Sequence, residues 1–392
     1  MMKLRKPLYH VLCLLMGVCT LSGCIEEYEA DISSDDTNLL VVEGTICASK
    51  ENKFILSRTY AVNTSATPST ITHAIVSVHG TDGSEYTTQC IDGYYSCWID
   101  DLSPDVEYYL HIEMEGEVYE SEPQKPLRTE KIADVSGAQS TPVNNVEILV
   151  TPDTPFDSGQ ANYYAWTYDQ TWEVHADYST VMYYDTEELK PSFKTNQFPA
   201  RGWKDAPGSS IIVGASSNYE GQHIRRLKLY DIERTDERIF YRYSGLVHQR
   251  AISKAEYEYE VARRQASSEM GGLFTPQPSA LPTNIHCLTS QKHVIGFVGC
   301  SLNTSEYRFF LNADDYTIIH PQKDDARVWL DNPKPEECLR LVNKGMYLCE
   351  WGTSSTGVVQ TAWAYEYQLD VRYKGAYIEQ PDFWSLQENI SY

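Results

Sequence analysis

Between Leu39 and Met114 apolar and polar side chains alternate in short runs: LLVVEGTI, KFILSRTY, HAIVSVHG, EYTTQCI, YYSCWI and VEYYLHIEM. In the last run Val106, Tyr108, Leu110, Ile112 and Met114 fall on one side, and Glu107, His111 and Glu113 on the other. Successive side chains of a strand point to opposite faces, so a period of two with one wet face predicts an antiparallel sandwich. With turn signals at GTDGS and IDG, residues 38–125 are expected to form an immunoglobulin-like or transthyretin-like module.

The polar, proline-bearing stretch QKPLRTEKIADVSGAQSTP then marks a domain boundary, with 136–392 as a larger β-rich domain. That domain opens with NNVEILVTP and runs on through YYAWTYDQTWEVHA and GQHIRRLKLYDIER. Near 236–268 the period changes. Ile239, Phe240, Tyr243, Leu246 and Val247 recur at helical spacing, and Ser253 with Glu256 forms an S-x-x-E capping box opening SKAEYEYEVARRQASS. Two consecutive helices are therefore expected among strands. Gly and Pro in GGLFTPQPSALPTN end the second helix, and strands resume at HVIGFVGC and EYRFFL. The clearest strand signal is TAWAYEYQLDVRY. Trp363, Tyr365, Tyr367, Leu369, Val371 and Tyr373 line one side of it, and Ala364, Glu366, Gln368, Asp370 and Arg372 the other. The expected fold class is mainly β: an N-terminal sandwich, then a larger β-rich domain with an inserted helical pair.

Composition agrees: 29 Tyr, many Thr and Val, and frequent Gly, Asn and Asp favour strands joined by turns. The first residues belong to another pattern. Lys3, Arg5 and Lys6 precede the apolar run Leu12–Leu21, which is too short to span a bilayer that needs ~20 residues and reads as a secretion signal over 1–23. It closes in Leu21-Ser22-Gly23-Cys24, which resembles a bacterial lipobox, so Cys24 is the expected lipidated first residue. Behind it Glu26, Glu27, Glu29, Asp31, Asp35 and Asp36 crowd a segment, 24–37, with few groups that could build a core; it is expected to be a solvated tether. The pair Glu26-Glu27 resembles the surface-export signal of Bacteroidota lipoproteins. Removing residues 1–23 leaves 29 Lys and Arg against 55 Asp and Glu, a formal charge of −26. Nucleic-acid partners require the opposite sign.

Three of the ten cysteines lie at or before Cys24, leaving Cys47, Cys90, Cys97, Cys287, Cys300, Cys338 and Cys349. In an exported chain three local disulfides suggest themselves: Cys90 with Cys97, Cys287 with Cys300, and Cys338 with Cys349. Register tests the first. A two-residue Asp92-Gly93 turn sets Cys90 opposite Tyr95 and makes Cys97 a diagonal neighbour at ~7–8 Å, beyond easy bonding, whereas a four-residue loop brings the cysteines face to face. Seven buried free thiols are the alternative.

Signals for catalysis are sparse. There is no G-x-S-x-G nucleophile elbow, no H-E-x-x-H and no histidine pair at i, i+4. His286-Cys287 with His293 and Cys300 lacks the short ligand spacing of zinc sites, and NADDY and DGSE lack the oxygen spacing of a calcium loop. No catalytic residue, metal site or cofactor is assigned. Trp363, Tyr365 and Tyr367 are candidate stacking residues for sugar or peptide, with burial in the sheet core as the competing reading.

Several phrases together, the lipobox, LLVVEGTI, YYAWTYDQTWE, FYRYSGLVHQR with GGLFTPQPSALPTNIH, HVIGFVGCSLNTSEYRFF and the terminal QPDFW, resemble the Bacteroidota lipoprotein family catalogued as domain of unknown function 4249. Pro282-Thr283-Asn284 departs from that family, where Gly is expected before the Asn. Members typically neighbour TonB-dependent outer-membrane transporters. The resemblance therefore implies an outer-membrane, surface-facing lipoprotein that serves, without enzymatic activity, as accessory or docking subunit of a nutrient-uptake system. Capture of a glycan or peptide by the lipoprotein itself is the alternative, and a hydrolase comes third.

Overall fold

The computed structural model describes residues 38–59, 70–153, 162–195, 198–268, 281–322, 325–385 and 390–391. The expected signal, Cys24, Glu26, Glu27 and the tether lie outside the described residues. The architecture is mainly β, several sheets with three α-helices among the described residues and no closed barrel.

The first sandwich contains the six predicted strand runs. One sheet has the order β19 (Val294–Ser301), β1 (Leu40–Cys47), β2 (Lys50–Arg58), β6 (Tyr94–Ile99), β5 (Gln89–Ile91). The facing sheet runs β18 (Ile285–Cys287), β8 (Glu117–Ser121), β7 (Tyr108–Met114), β3 (Ile75–Gly80), β4 (Glu85–Thr87). Tyr108, Leu110, Ile112 and Met114 are buried at alternate positions of β7, as the period of two requires. Val42, Ile46, Phe54, Leu56, Tyr95 and Ile99 meet them from the other sheet.

Both edge strands at one side come from far along the chain. β1 and β19 pair in parallel over their full length, from Leu40 with Val294 to Cys47 with Ser301. Ile285, Val294 and Val298 enter the same core. The module expected over 38–125 is thus completed by 285–301. Thr283 and Asn284, in the segment where Gly was expected before the Asn, fasten that return. Thr283 Oγ1 donates to the Gly296 carbonyl at 2.8 Å, and the Asn284 carboxamide bonds both the N–H and C=O of Val298 at 2.9 Å.

The expected boundary is structured. β9 (Ile132–Ala138) lies inside the polar stretch and joins β10 (Val146–Pro152) and β16 (Leu227–Ile232) in a three-stranded sheet. This sheet covers one face of the central six-stranded sheet. There β14 (Arg201–Pro207), β11 (Tyr163–His175), β17 (Arg242–Ile252), β20 (Ser305–Asn312) and β24 (Ile390–Ser391) lie in order, and β15 (Ile212–Ala215) also pairs with β11. Val135, Ile148 and Val150 pack there on Trp166, Tyr243, Val247 and Phe309.

Of the two expected helices, one forms. Residues 242–252 are strand β17, and only α1 (Lys254–Ser268) follows. The core-facing row of β17 reads Tyr243, Gly245, Val247. A Cβ at position 245 would lie 2.3 Å from the Phe309 ring, so glycine stands where an apolar side chain would complete the alternation. Tyr243 and Val247 then imitate a helical i, i+4 pair. The capping box is half realised: Ser253 Oγ accepts from the Glu256 N–H at 3.1 Å, while the Glu256 carboxylate turns to Arg250.

A small satellite unit completes the fold. The hairpin of β12 (Met182–Asp185) and β13 (Lys190–Phe193) adjoins a sheet of β21 (Val328–Asp331), β23 (Val359–Tyr365) and β22 (Met346–Thr353), with α2 (Pro335–Asn343) packed on it. The strand expected through Tyr373 stops at Tyr365. Gln368 Oε1 accepts the Tyr365 N–H at 2.9 Å and caps one turn of helix, α3 (Glu366–Leu369).

Candidate functional site

The three aromatic residues singled out on β23 part company. Trp363 is fully buried against Tyr184 and Leu348, its Nε1 donating to Thr361 Oγ1 at 3.0 Å. Tyr365 and Tyr367 are exposed and stack with ring centroids 5.8 Å apart and planes 13° from parallel. The break into α3 is what turns Tyr367 outward, and Tyr373 is exposed as well.

Elsewhere on the satellite, Arg327 lies between the rings of Tyr178 and Trp329, at 4.7 and 4.8 Å from their centroids. It binds Asp325 at 2.8 Å and also Glu350. Hydrogen bonds from Arg327 hold the Asp325 carboxyl far below the usual carboxylate range. Phe193, Val181, Val328 and Trp329 add exposed apolar surface to the same unit.

The second concentration of chemistry was not visible in the sequence. β11, β17 and β20 turn their apolar side to the three-stranded sheet, so the alternate residues Thr167, Asp169, His248, Arg250 and Glu306 share the other face. His248 is clamped there, Nε2 to Asp169 and Nδ1 to Glu306, both at 3.0 Å. Burial opposes protonation of this imidazole, but the bonds to Glu306 and Asp169 outweigh it and raise its pKa above the ordinary value. Arg250 makes a two-pronged contact with Glu256 at 2.6 and 3.1 Å. A Cβ on Gly299 would meet Glu256 Oε2 at 2.3 Å, so the glycine makes room for the pair. The only cue in the sequence was S-x-x-E, which located Glu256 but not its partner.

The seven cysteines among the described residues are free thiols. Asp92 and Gly93, with φ of 49° and 87°, form the two-residue turn, so Cys90 faces Tyr95 and misses Cys97. Cys287 and Cys300 sit on facing sheets. Cys338 and Cys349 pack on opposite sides of the satellite sheet, in the clusters of Trp363 and of Ala364. Burial pushes the thiols of Cys97 and Cys349 up to about 11 and that of Cys300 to about 12, well away from nucleophilic thiolates. Among the described residues the nearest approach to a hydroxyl–imidazole pair is Ser77 Oγ with His79 Nε2 at 2.8 Å, on the outer face of β3. Among the described residues no group of three or more His, Cys, Asp or Glu is arranged to hold a metal ion.

Fold and site together define a mainly β scaffold of two stacked sheet units with a small aromatic satellite, carrying paired charges on the outer face of the central sheet. The chain belongs to the family described as Domain of unknown function (DUF4249), whose model matches residues 25–307. That span takes in the first sandwich with both returning strands and the central sheet as far as the start of β20, and ends before most of the satellite. A search of curated proteins found no match.

Proposed function

We propose that the protein is an exported lipoprotein, held at the outer membrane by acyl chains on Cys24, that works by contact as a docking subunit of a TonB-dependent uptake system. The observation that carries this reading is the concentration of exposed apolar side chains on the satellite. Val181, Leu189, Phe193, Val328, Trp329, Tyr365 and Tyr367, seven of the eighteen exposed large hydrophobic residues among the described ones, fall on this small unit. Such side chains are ordinarily scattered over a monomer, and a concentration of them marks a partner surface. The locked charge pairs of the central sheet support contact over bond-breaking, because a general base or nucleophile must be free to exchange protons with substrate. At ~0.8 kcal/mol per buried methylene, two or three acyl chains suffice for a stable anchor.

Affinity purification from detergent-solubilised outer membranes tests the reading. The native protein is expected to bring down a β-barrel transporter, and the Cys24→Ala and Tyr365→Ser/Tyr367→Ser variants to lose it. Native protein recovered as a monomer without a barrel would overturn the docking role. The stacked, exposed Tyr365–Tyr367 pair also favours a second reading, capture of a glycan or peptide by ring stacking. In that case the tyrosine variant keeps the barrel and loses the ligand.

A further inference from the structure

A cavity of about 530 Å³ lies where β1 and β2 of the first sandwich face the polar side of β11 and β17. Its walls include Thr45, Cys47, Lys50 and Lys53 from the sandwich side and Thr167, Asp169, His248 and Arg250 from the central sheet. Stability alone argues against such a lining. A buried ion pair such as Arg250 with Glu256 is often no better than well-packed apolar side chains of similar volume, so its place beside the half-exposed His248 cluster on the wall of one cavity calls for another reason.

Those clusters neutralise themselves. Arg250 is matched by Glu256, His248 by Asp169 and Glu306, and Lys53 by Glu51 at 3.3 Å. Lys50 is the exception: it has no ion-pair partner among the described residues, although its charge lies near enough to oppose the rise that burial imposes on the Cys47 thiol and to add to the lowering of Glu306 that its bond from His248 chiefly causes. The hydroxyls of Thr45, Thr167 and Thr304, all lining the cavity, likewise hydrogen-bond to no described residue. Thr167 stands directly across from His248, and His248 from Glu306, so the row is held rigidly by strand register. Pro207 and Ile211 supply an apolar flank.

One uncompensated cation, several uncommitted hydroxyls and an apolar flank match one kind of ligand. We propose that this cavity binds a small singly charged sugar acid, its carboxylate on Lys50, its hydroxyls on the three threonines, and a C–H face against Pro207 and Ile211. The volume lies within the range of about 300–1,000 Å³ usual for small-molecule sites. The site is separate from the tyrosine pair and does not depend on the docking reading.

Titration calorimetry on the full mature chain, with D-glucuronate and D-galacturonate as probes and D-glucose and acetate as controls, decides the matter. At least one uronate is expected to bind at least ten-fold more tightly than glucose or acetate. Lys50→Gln should weaken it ten-fold or more, and Thr167→Val several-fold, with the melting temperature of each free variant unchanged. Tyr365→Ser should leave uronate binding intact. Absence of heat with both uronates, glucose binding as well as they do, or retention of uronate affinity in Lys50→Gln would overturn the proposal.

Discussion

At the scale of single residues, the cost of each charge depends on its partner. Glu256 is buried, and Arg250 beside it is largely covered. Removing one member of such a pair leaves the other uncompensated, so Glu256→Ala is expected to lower unfolding free energy by about 3–5 kcal/mol in urea melts. Adding Arg250→Met should recover most of the loss, because apolar packing replaces the pair. His248 gives a pH dependence. Its folded pKa is raised above 6.5, so its contribution is fully present below that value and is lost as pH rises through the folded pKa. Glu306 is lowered, chiefly by its bond from His248, so its contribution is present above 4.5 and is lost as pH falls through its folded pKa. Melting temperature should therefore be highest from about pH 5 to 6.5 and fall toward pH 9. The fall should be smaller in His248→Gln. It persists in part because His111 is raised in the same sense, its bonds to Glu120 and Glu113 outweighing burial.

Secondary elements show where a chain can and cannot be read locally. In β19, Gly296 has φ of +138°, and a Cβ there would lie 2.1 Å from the Val42 carbonyl oxygen across the parallel pairing with β1. Gly296→Ala must distort backbone, and a loss of about 2–4 kcal/mol is expected from the urea midpoint. Gly352 on β22 has nothing within 4 Å of such a carbon, so Gly352→Ala should change stability by less than ~0.5 kcal/mol. The strands of the first sandwich were legible because a wet face and a dry face alternate cleanly in β7. β17 was not, since Gly245 yields its space to Phe309 and leaves a spacing that imitates a helix. The run through Tyr373 kept a period of two by composition alone, while Gln368 capped a helical turn that the pattern could not reveal. Tyr365 and Tyr367 stood out in the sequence for their aromatic spacing, and the structure leaves both exposed. The His248 cluster did not stand out, because Asp169, His248 and Glu306 meet across three strands, and for the pair that joins Arg250 at the end of β17 to Glu256 in α1 the S-x-x-E cue located only Glu256.

Over the whole molecule, the decisive contacts are the ones most distant in sequence. β1 meets β19 some 250 residues further on, and β18 closes the other sheet against β8. The first sandwich is therefore not an independent N-terminal domain, although its alternation made it look like one. A fragment of residues 38–131 lacks two edge strands and the core side chains Ile285, Val294 and Val298. The open edge of β1 would then expose unpaired backbone groups beside a partly uncovered core, a combination that favours association over folding. Such a fragment is expected to show poor amide dispersion in NMR spectra and no cooperative thermal transition. Fusing residues 282–304 to it through a flexible Gly-Ser linker should restore both, since the linker makes closure of the long loop intramolecular and short. A fragment of 38–131 that melts cooperatively by itself would mean that β19 and β18 merely lean on a finished module, and the tie between the two sheet units would then be looser than the pairing from Leu40 to Cys47 requires.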